Sequence, residues 1–172
     1  MATLIKKRRI VADNWRLLSR GAGGDLPAVP ASGDVIVPLA LWLERRNDLL
    51  VRAGGIGLWL DANEGPESIG GEMDRLGVIA VNFPKFGDGR GYSIARLLRE
   101  RYRYRGELRA IGDVLHDHLD FMEQCGFDAF LLREDQDPQA ALSAFGTFGE
   151  SYQTSFLQPV PLFRRRMAAG KS

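Results

Sequence analysis

The chain has 172 residues, 45% hydrophobic and 26% charged, which is ordinary for a globular protein and long enough to bury one sizeable core. Its 23 lysines and arginines stand against 22 aspartates and glutamates, so no global field favours nucleic acid or a membrane surface, and any electrostatic preference has to be local. The one cysteine, Cys125, excludes an internal disulfide and any CxxC pair for zinc, an iron–sulfur cluster or dithiol chemistry.

The N-terminus, "MATLIKKRRIVADNW", is basic but has no long apolar run after its charges, which argues against a secretory signal and for a cytoplasmic protein. The stretch "LIKKRRIVADNWRLL" reads as a short strand, a turn at Asp13 and Asn14, and more extended chain. "SRGAGGDLPAVPASGD" is a Gly/Pro/Ser loop. From Asp34 a strand–helix rhythm begins. "DVIVPL" is a β-branched run, and "ALWLERRNDLLVRAG" has helical apolar spacing through Leu39, Trp42, Leu43, Leu49 and Leu50. "IGLWLDAN" is a second strand, and "GPESIGGEMDRLG" a glycine-weakened helix with Pro66 in its first turn. "VIAVNF" is a strand apolar enough to be buried on both faces, and "YSIARLLRERY" places Ile94, Leu97, Leu98 and Tyr102 on one side of a helix. "ELRAIG" is a fourth strand. "DVLHDHLDFMEQCG" reads as a helix with Asp113 as N-cap, a stripe of Leu115, Leu119 and Met122, and Gly126 as its stop. "DAFLL" is a fifth strand and "DPQAALSAFG" a further helix. The last segment, "TFGESYQTSFLQPVPLFRRRMAAGKS", fits neither period and reads as an edge strand before a basic tail.

Such alternation implies βαβ units with right-handed crossovers and a mainly parallel sheet of about five strands. The sheet is either an open doubly wound one or an incomplete, barrel-like one. We divide this single α/β domain into an N-terminal arm and loop (1–33), a βα core (34–146) and a C-terminal extension (147–172).

Parallel α/β sheets bind ligands at the carboxyl ends of their strands. Here those ends carry Asp61, Asn63 and Glu64, then Asn82, Lys85, Asp88 and Arg90, then Asp113, then Arg133, Glu134 and Asp135. Asp61, Asp88, Arg90 and Asp113 are therefore the candidate catalytic residues. In "FGDGRGYS" the glycines permit a sharp turn into a helix. Lys85, Gly89, Arg90 and Gly91 are thus candidate anion ligands, through free N–H groups and a bidentate guanidinium. The motif is neither GxGxxG nor a P-loop, and a plain strand-to-helix turn accounts for it equally. Seven arginines lie between Arg90 and Arg109 against Glu100 and Glu107, and Arg96, Arg99 and Arg103 share a helical face at i, i+3 and i+7. That face suits an acidic protein partner; with no nucleic-acid-binding motif beside it, nucleic acid is the weaker reading. The alternative is a solvated helix surface. His116 and Asp120 sit at i, i+4, but a metal needs about three convergent ligands and nothing fixes a third. Cys125, at a helix C-terminus, reads as a small buried hydrophobe rather than a reactive thiol.

The run from Phe83 to Leu132 resembles the signature of a bacterial family, domain-of-unknown-function family 934. Its pattern F-x-x-F-x-D-G-R-G-Y-S falls on Phe83, Phe86, Asp88, Gly89, Arg90, Gly91, Tyr92 and Ser93, and A-R-x-L-R on Ala95, Arg96, Leu98 and Arg99. G-x-L-R-A-x-G-D-V-L falls on Gly106, Leu108, Arg109, Ala110, Gly112, Asp113, Val114 and Leu115, and C-G-F on Cys125, Gly126 and Phe127. Members are commonly labelled oxidoreductases of sulfite reduction, because they lie beside sulfite reductase in assimilatory sulfate-reduction operons. The resemblance implies an accessory protein of sulfite reduction whose partner is sulfite reductase or its electron donor. Sulfite and sulfate are small anions that a glycine-rich helix start with Arg90 suits. No flavin, nicotinamide, haem or iron–sulfur motif is evident, which leaves the cofactor unassigned. Two alternatives stand beside this: an oxidoreductase-type enzyme with an anion pocket at the strand ends, and a non-catalytic anion-binding or scaffold protein.

Overall fold

The computed structural model describes residues 3–85 and 87–145. Eight strands form one curled, half-barrel sheet in the order β2-β1-β8-β7-β6-β5-β4-β3. They are β1 (Thr3–Lys6), β2 (Arg9–Ala12), β3 (Arg16–Leu17), β4 (Val35–Pro38), β5 (Ile56–Leu60), β6 (Val78–Phe83), β7 (Glu107–Gly112) and β8 (Ala129–Leu131). From β3 to β8 every neighbouring pair is parallel, and β1 joins β8 and β2 antiparallel.

Sequence order and spatial order coincide from β3 to β8, so crossovers of one hand all return over the same face. The sheet is thus wound in one direction, and of the two expected architectures the barrel-like one holds. Four helices serve it: α1 (Leu39–Val51), α2 (Arg90–Arg96), α3 (Leu119–Gln124) and α4 (Pro138–Ala144). Val35, Val37, Leu58, Leu60, Ile79, Val81, Leu108, Ala110 and Phe130 alternate to the outer face. There they form one core with Trp42, Leu49, Ile94, Leu98, Leu119 and Met122. Each such side chain contributes roughly 1.5–3 kcal/mol when fully buried.

The alternate strand positions build a second, inner layer. Ile36, Trp59, Val78, Ala80 and Ile111 pack there with Trp15, Leu17 and Leu131. The chain between β2 and β3 crosses this layer. The Trp15 ring lies so close to Gly55 and Gly77 that a Cβ on either would come within 2.8 and 3.0 Å of it.

Eight strands replace the expected five because the first 17 residues add three. The β1–β2 hairpin turns at Lys7 and Arg8, both with positive φ, where Asn-Gly would announce such a turn. The helix expected over 65–77 is two 3₁₀ turns, Pro66–Ile69 and Met73–Arg75, separated at Gly70, whose φ is +81°. The helix expected from Asp113 starts later. A 3₁₀ turn, His116–His118, leads into α3, and Asp113 pairs with Arg133 instead of capping. Gly126 does end this region, with φ +112°. Asp137 caps α4, accepting from Gln139 N at 2.9 Å. The edge strand and tail expected over 147–172 lie outside the described residues.

Candidate functional site

The carboxyl ends of β3, β5, β6 and β7 frame a cleft of about 400 Å³. Trp59 and Ile111 form its apolar part, with Arg20, Asp61, Asn82 and Gly112 around it. The polar groups hold one another. Asn82 Nδ2 donates to Asp61 Oδ1 at 3.0 Å, and Ala62 N donates to the same oxygen at 2.9 Å. Asp61 N donates to Glu64 Oε2 at 2.8 Å, and the other Glu64 oxygen pairs with Arg20. The Arg20 guanidinium lies 5.1 Å from the centre of the Trp59 ring, whose Nε1 donates to Leu18 O at 2.9 Å. Gly112 has φ +91°, and a Cβ there would sit 2.4 Å from Asn82 Oδ1 and 2.5 Å from Phe83 O. No larger residue leaves this wall in place.

The expected strand-end residues are divided among three places. Asp61 lines the cleft. Lys85, Asp88, Gly89 and Arg90 line a shallower, more open depression of about 480 Å³. Arg90 folds back on Asp88, with Nε and Nη2 donating at 2.9 and 2.6 Å, so its fork is already occupied by a carboxylate. Those hydrogen bonds pull the Asp88 carboxyl down to about 2. Gly91 is not presented to solvent. It is buried under the Phe83 ring, and a Cβ there would lie 2.6 Å from that ring, so close packing explains this glycine. Asp113 accepts from Arg133 Nη1 at 2.8 Å, and Arg133 also grips Asp135 at 2.6 and 2.7 Å, which holds the Asp135 carboxyl at about 2. Each of the three carboxylates has its own partner: Asp61 accepts from Asn82, Asp88 from Arg90 and Asp113 from Arg133. Sequence reasoning passed over Arg20 and Trp59. Arg20 lies in a Gly/Pro-rich loop without periodicity, and the alternation of "IGLWL" was the only sign that Trp59 turns away from the helices.

The expected row Arg96, Arg99, Arg103 does not form one face. Arg96 is exposed and lies 3.4 Å from Glu100. Arg99 is buried and donates to Gly126 O, Tyr104 O and Gly106 O at 2.9, 2.7 and 2.9 Å. The helix widens into a π turn over Leu97–Arg101, and Arg103 follows with φ +54°, so α-helical register is lost between the three. Exposed in this segment are Arg96, Arg101, Arg103 and Arg105 together with Leu97, 39% exposed, and on α3 Phe121 is 53% exposed. The Phe121 ring meets Tyr92 edge-on at 4.8 Å.

His116 Nδ1 lies 2.6 Å from Gln136 Oε1, and its Nε2 2.9 Å from Asp117. Among the described residues no group of three or more His, Cys, Asp or Glu side chains gathers as metal ligands. Cys125 is buried beside Met122 in the outer core, and burial pushes its thiol up. No described helix is long and apolar enough to cross a membrane.

The model of a family described as "Bacterial protein of unknown function (DUF934)" matches residues 57–163. That stretch holds β6 to β8 and all but the first residue of β5, the cleft residues from Trp59 onward but not those that follow β3, and the arginine-rich connection. No curated protein and no solved structure matches the chain.

Proposed function

The chain belongs to the bacterial family DUF934, and from that premise we propose that it is an accessory protein of assimilatory sulfite reduction that docks on sulfite reductase or its electron donor. The observation that carries the docking is the segment that runs from the end of α2 to β7. Between Arg96 and Arg105 four arginines are exposed (Arg96, Arg101, Arg103 and Arg105) against one carboxylate, Glu100, and Leu97 in the same segment is 39% exposed. Arginine and aromatic side chains are what protein interfaces concentrate, and the charge excess selects an acidic partner. The sulfite assignment comes from the family's neighbourhood in assimilatory operons.

The test is affinity isolation of the tagged protein, at low salt, from its host growing on sulfate as sole sulfur source. Sulfite reductase or its electron donor is expected to co-elute and to be lost as salt is raised, since exposed charges are screened within about 8–10 Å at physiological ionic strength. Reversing charge with Arg96→Glu plus Arg101→Glu is expected to weaken the complex about tenfold or more, the equivalent of about 1.4 kcal/mol. Association unchanged by the double reversal would overturn the docking reading.

A second reading is an enzyme acting at the strand carboxyl ends, and the Asp61–Asn82 pair in the cleft there favours it. Asp61 would hold or accept a proton. Arg90, once released from Asp88, would orient an anionic substrate with Lys85 and Gly89 at its side, and Asp113 would stand by as the other carboxylate. In this reading Asp61→Asn abolishes growth on sulfate while the purified variant stays folded. Normal growth of that variant would remove it.

A further inference from the structure

A cleft of about 650 Å³ opens at the opposite end of the sheet, at the amino ends of β7 and β8. One wall is the β1–β2 turn, with Lys7 and Arg8. The other is the connection into β7, with Arg103, Tyr104 and Arg105, and the chain before β8 closes the base. Five cations line it against two carboxylates, Glu123 and Asp128. Arg8 is matched by Glu123 at 2.6 Å and Arg99 by Asp128 at 3.5 Å. Lys7, Arg103 and Arg105 make no ion pair among the described residues.

Exposed cations are commonly just solvated, so charge alone decides nothing. Backbone geometry separates the two readings. Lys7, Arg8 and Arg103 have φ of 48°, 60° and 54°, and among the described residues no other non-glycine residue has a positive φ. The left-handed region carries a steric cost that glycine escapes and asparagine largely escapes. A two-residue hairpin is the position where Asn-Gly is the cheapest solution. Here all three strained positions hold a cation, and all three line the same cleft. Strain retained where a cheaper residue would serve points to the side chain as the reason.

The walls are also fixed in advance. The buried Arg99 fork ties residues 104 and 106 to Gly126, so one wall and the base move together. Gly126 must be glycine for this: a Cβ would lie 2.6 Å from Arg99 Cγ.

We propose that this cleft binds a small molecule carrying two or more linked phosphates. Its volume lies in the range of small-molecule sites and is concave rather than flat. A single phosphate fills little of it, whereas linked phosphates meet Lys7 on one wall and Arg103 and Arg105 on the other. Planar guanidinium forks match phosphate oxygens two at a time. The site shares Arg103 and Arg105 with the docking surface but rests neither on that reading nor on sulfite chemistry.

Inorganic pyrophosphate is the minimal probe, titrated calorimetrically into the purified full chain at low salt with orthophosphate in parallel. Saturable binding at one site is expected, at least tenfold tighter for pyrophosphate than for orthophosphate. Lys7→Gly and Arg103→Gly suit the left-handed backbone, so both are expected to raise the unfolding midpoint while weakening pyrophosphate at least tenfold. Cations with a merely structural role would leave affinity unchanged on that substitution. No saturable binding, equal affinity for orthophosphate, or wild-type affinity in both glycine variants would each overturn the proposal. Arg96→Glu plus Arg101→Glu lies outside the cleft and is expected to leave pyrophosphate binding intact. Failure of docking and failure of the anion site are thereby read separately.

Discussion

Arg99 carries the sharpest difference between helical arithmetic and packing. Its spacing from Arg96 and Arg103 promises an exposed row, but the widened turn over Leu97–Arg101 rotates it inward, where only 7% of its side chain is exposed. Burial alone lowers its basicity, and Asp128 works against that. Arg99→Met would leave three carbonyls without their donor and Asp128 without its cation. A buried charge stripped of its partner typically costs about 3–5 kcal/mol, so urea unfolding is expected to show a loss of that size. Arg96→Met, on the same helix but in solvent, is expected to change stability by less than about 0.5 kcal/mol. Asp88 and Asp135 sort differently with pH. Hydrogen bonds from Arg90 and Arg133 hold their folded-state carboxyls at about 2, below the unfolded value of about 4. A depressed carboxyl stabilises above its unfolded value, and that contribution fades as pH falls through the folded one. The contribution of these two pairs is therefore expected to be constant down to about pH 5 and to fade between about pH 4 and pH 2. Asp88→Asn should make that fall shallower, and an unchanged slope would deny the pair any thermodynamic weight.

Among the elements, the five strands of the βα core were legible, the β1–β2 hairpin and β3 were not, and the helices were legible only in part. β4, β5, β6, β7 and β8 announce themselves because both sides of each are covered, which demands apolar residues at consecutive positions, as in "VIAVNF". Helical periodicity carries less information where glycines interrupt it, and Gly70 with its positive φ splits the 65–77 segment into two short turns. The candidate site shows the same division. Asp61 and Asn82 follow directly from knowing where strands end, whereas Arg20 reaches the cleft from a loop whose path no local pattern encodes. Gly112 joins element to site. It ends β7 in the left-handed region, with backbone and Asn82 packed where a side chain would go. Gly112→Ala meets both a strained φ and a clash with backbone that cannot rotate aside, and is expected to cost about 2 kcal/mol or more in thermal or urea unfolding. Gly87→Ala, with nothing within 4 Å of the added carbon and no positive φ, is the matched control and is expected to be near neutral.

At the scale of the whole molecule, a half-barrel has an inner face that helices do not cover, and this chain covers it with its own beginning. Arg109 projects inward from β7 and is 1% exposed. Its Nε donates to Glu107 at 2.7 Å and its Nη1 to Asp13 at 2.8 Å, and Lys6 closes the circuit on Glu107 at 2.7 Å. Two carboxylates and Arg109, their side chains all buried, thus balance with Lys6, which reaches Glu107 from the partly exposed edge of β1. Residue types alone gave no sign of this, because Asp13 and Arg109 are 96 positions apart. Removing one member of such a network leaves a charge uncompensated, whereas removing a matched pair need not. Asp13→Asn and Arg109→Met are each expected to cost about 3 kcal/mol or more, and the double variant clearly less than their sum. Hydrogen exchange is expected to locate the single-variant damage in the amides of β1 and β2, the hairpin that the clamp ties to β7. Additive losses, or exchange that rises evenly across all eight strands, would mean that the hairpin is held by its ladder to β8 and not by the buried charges.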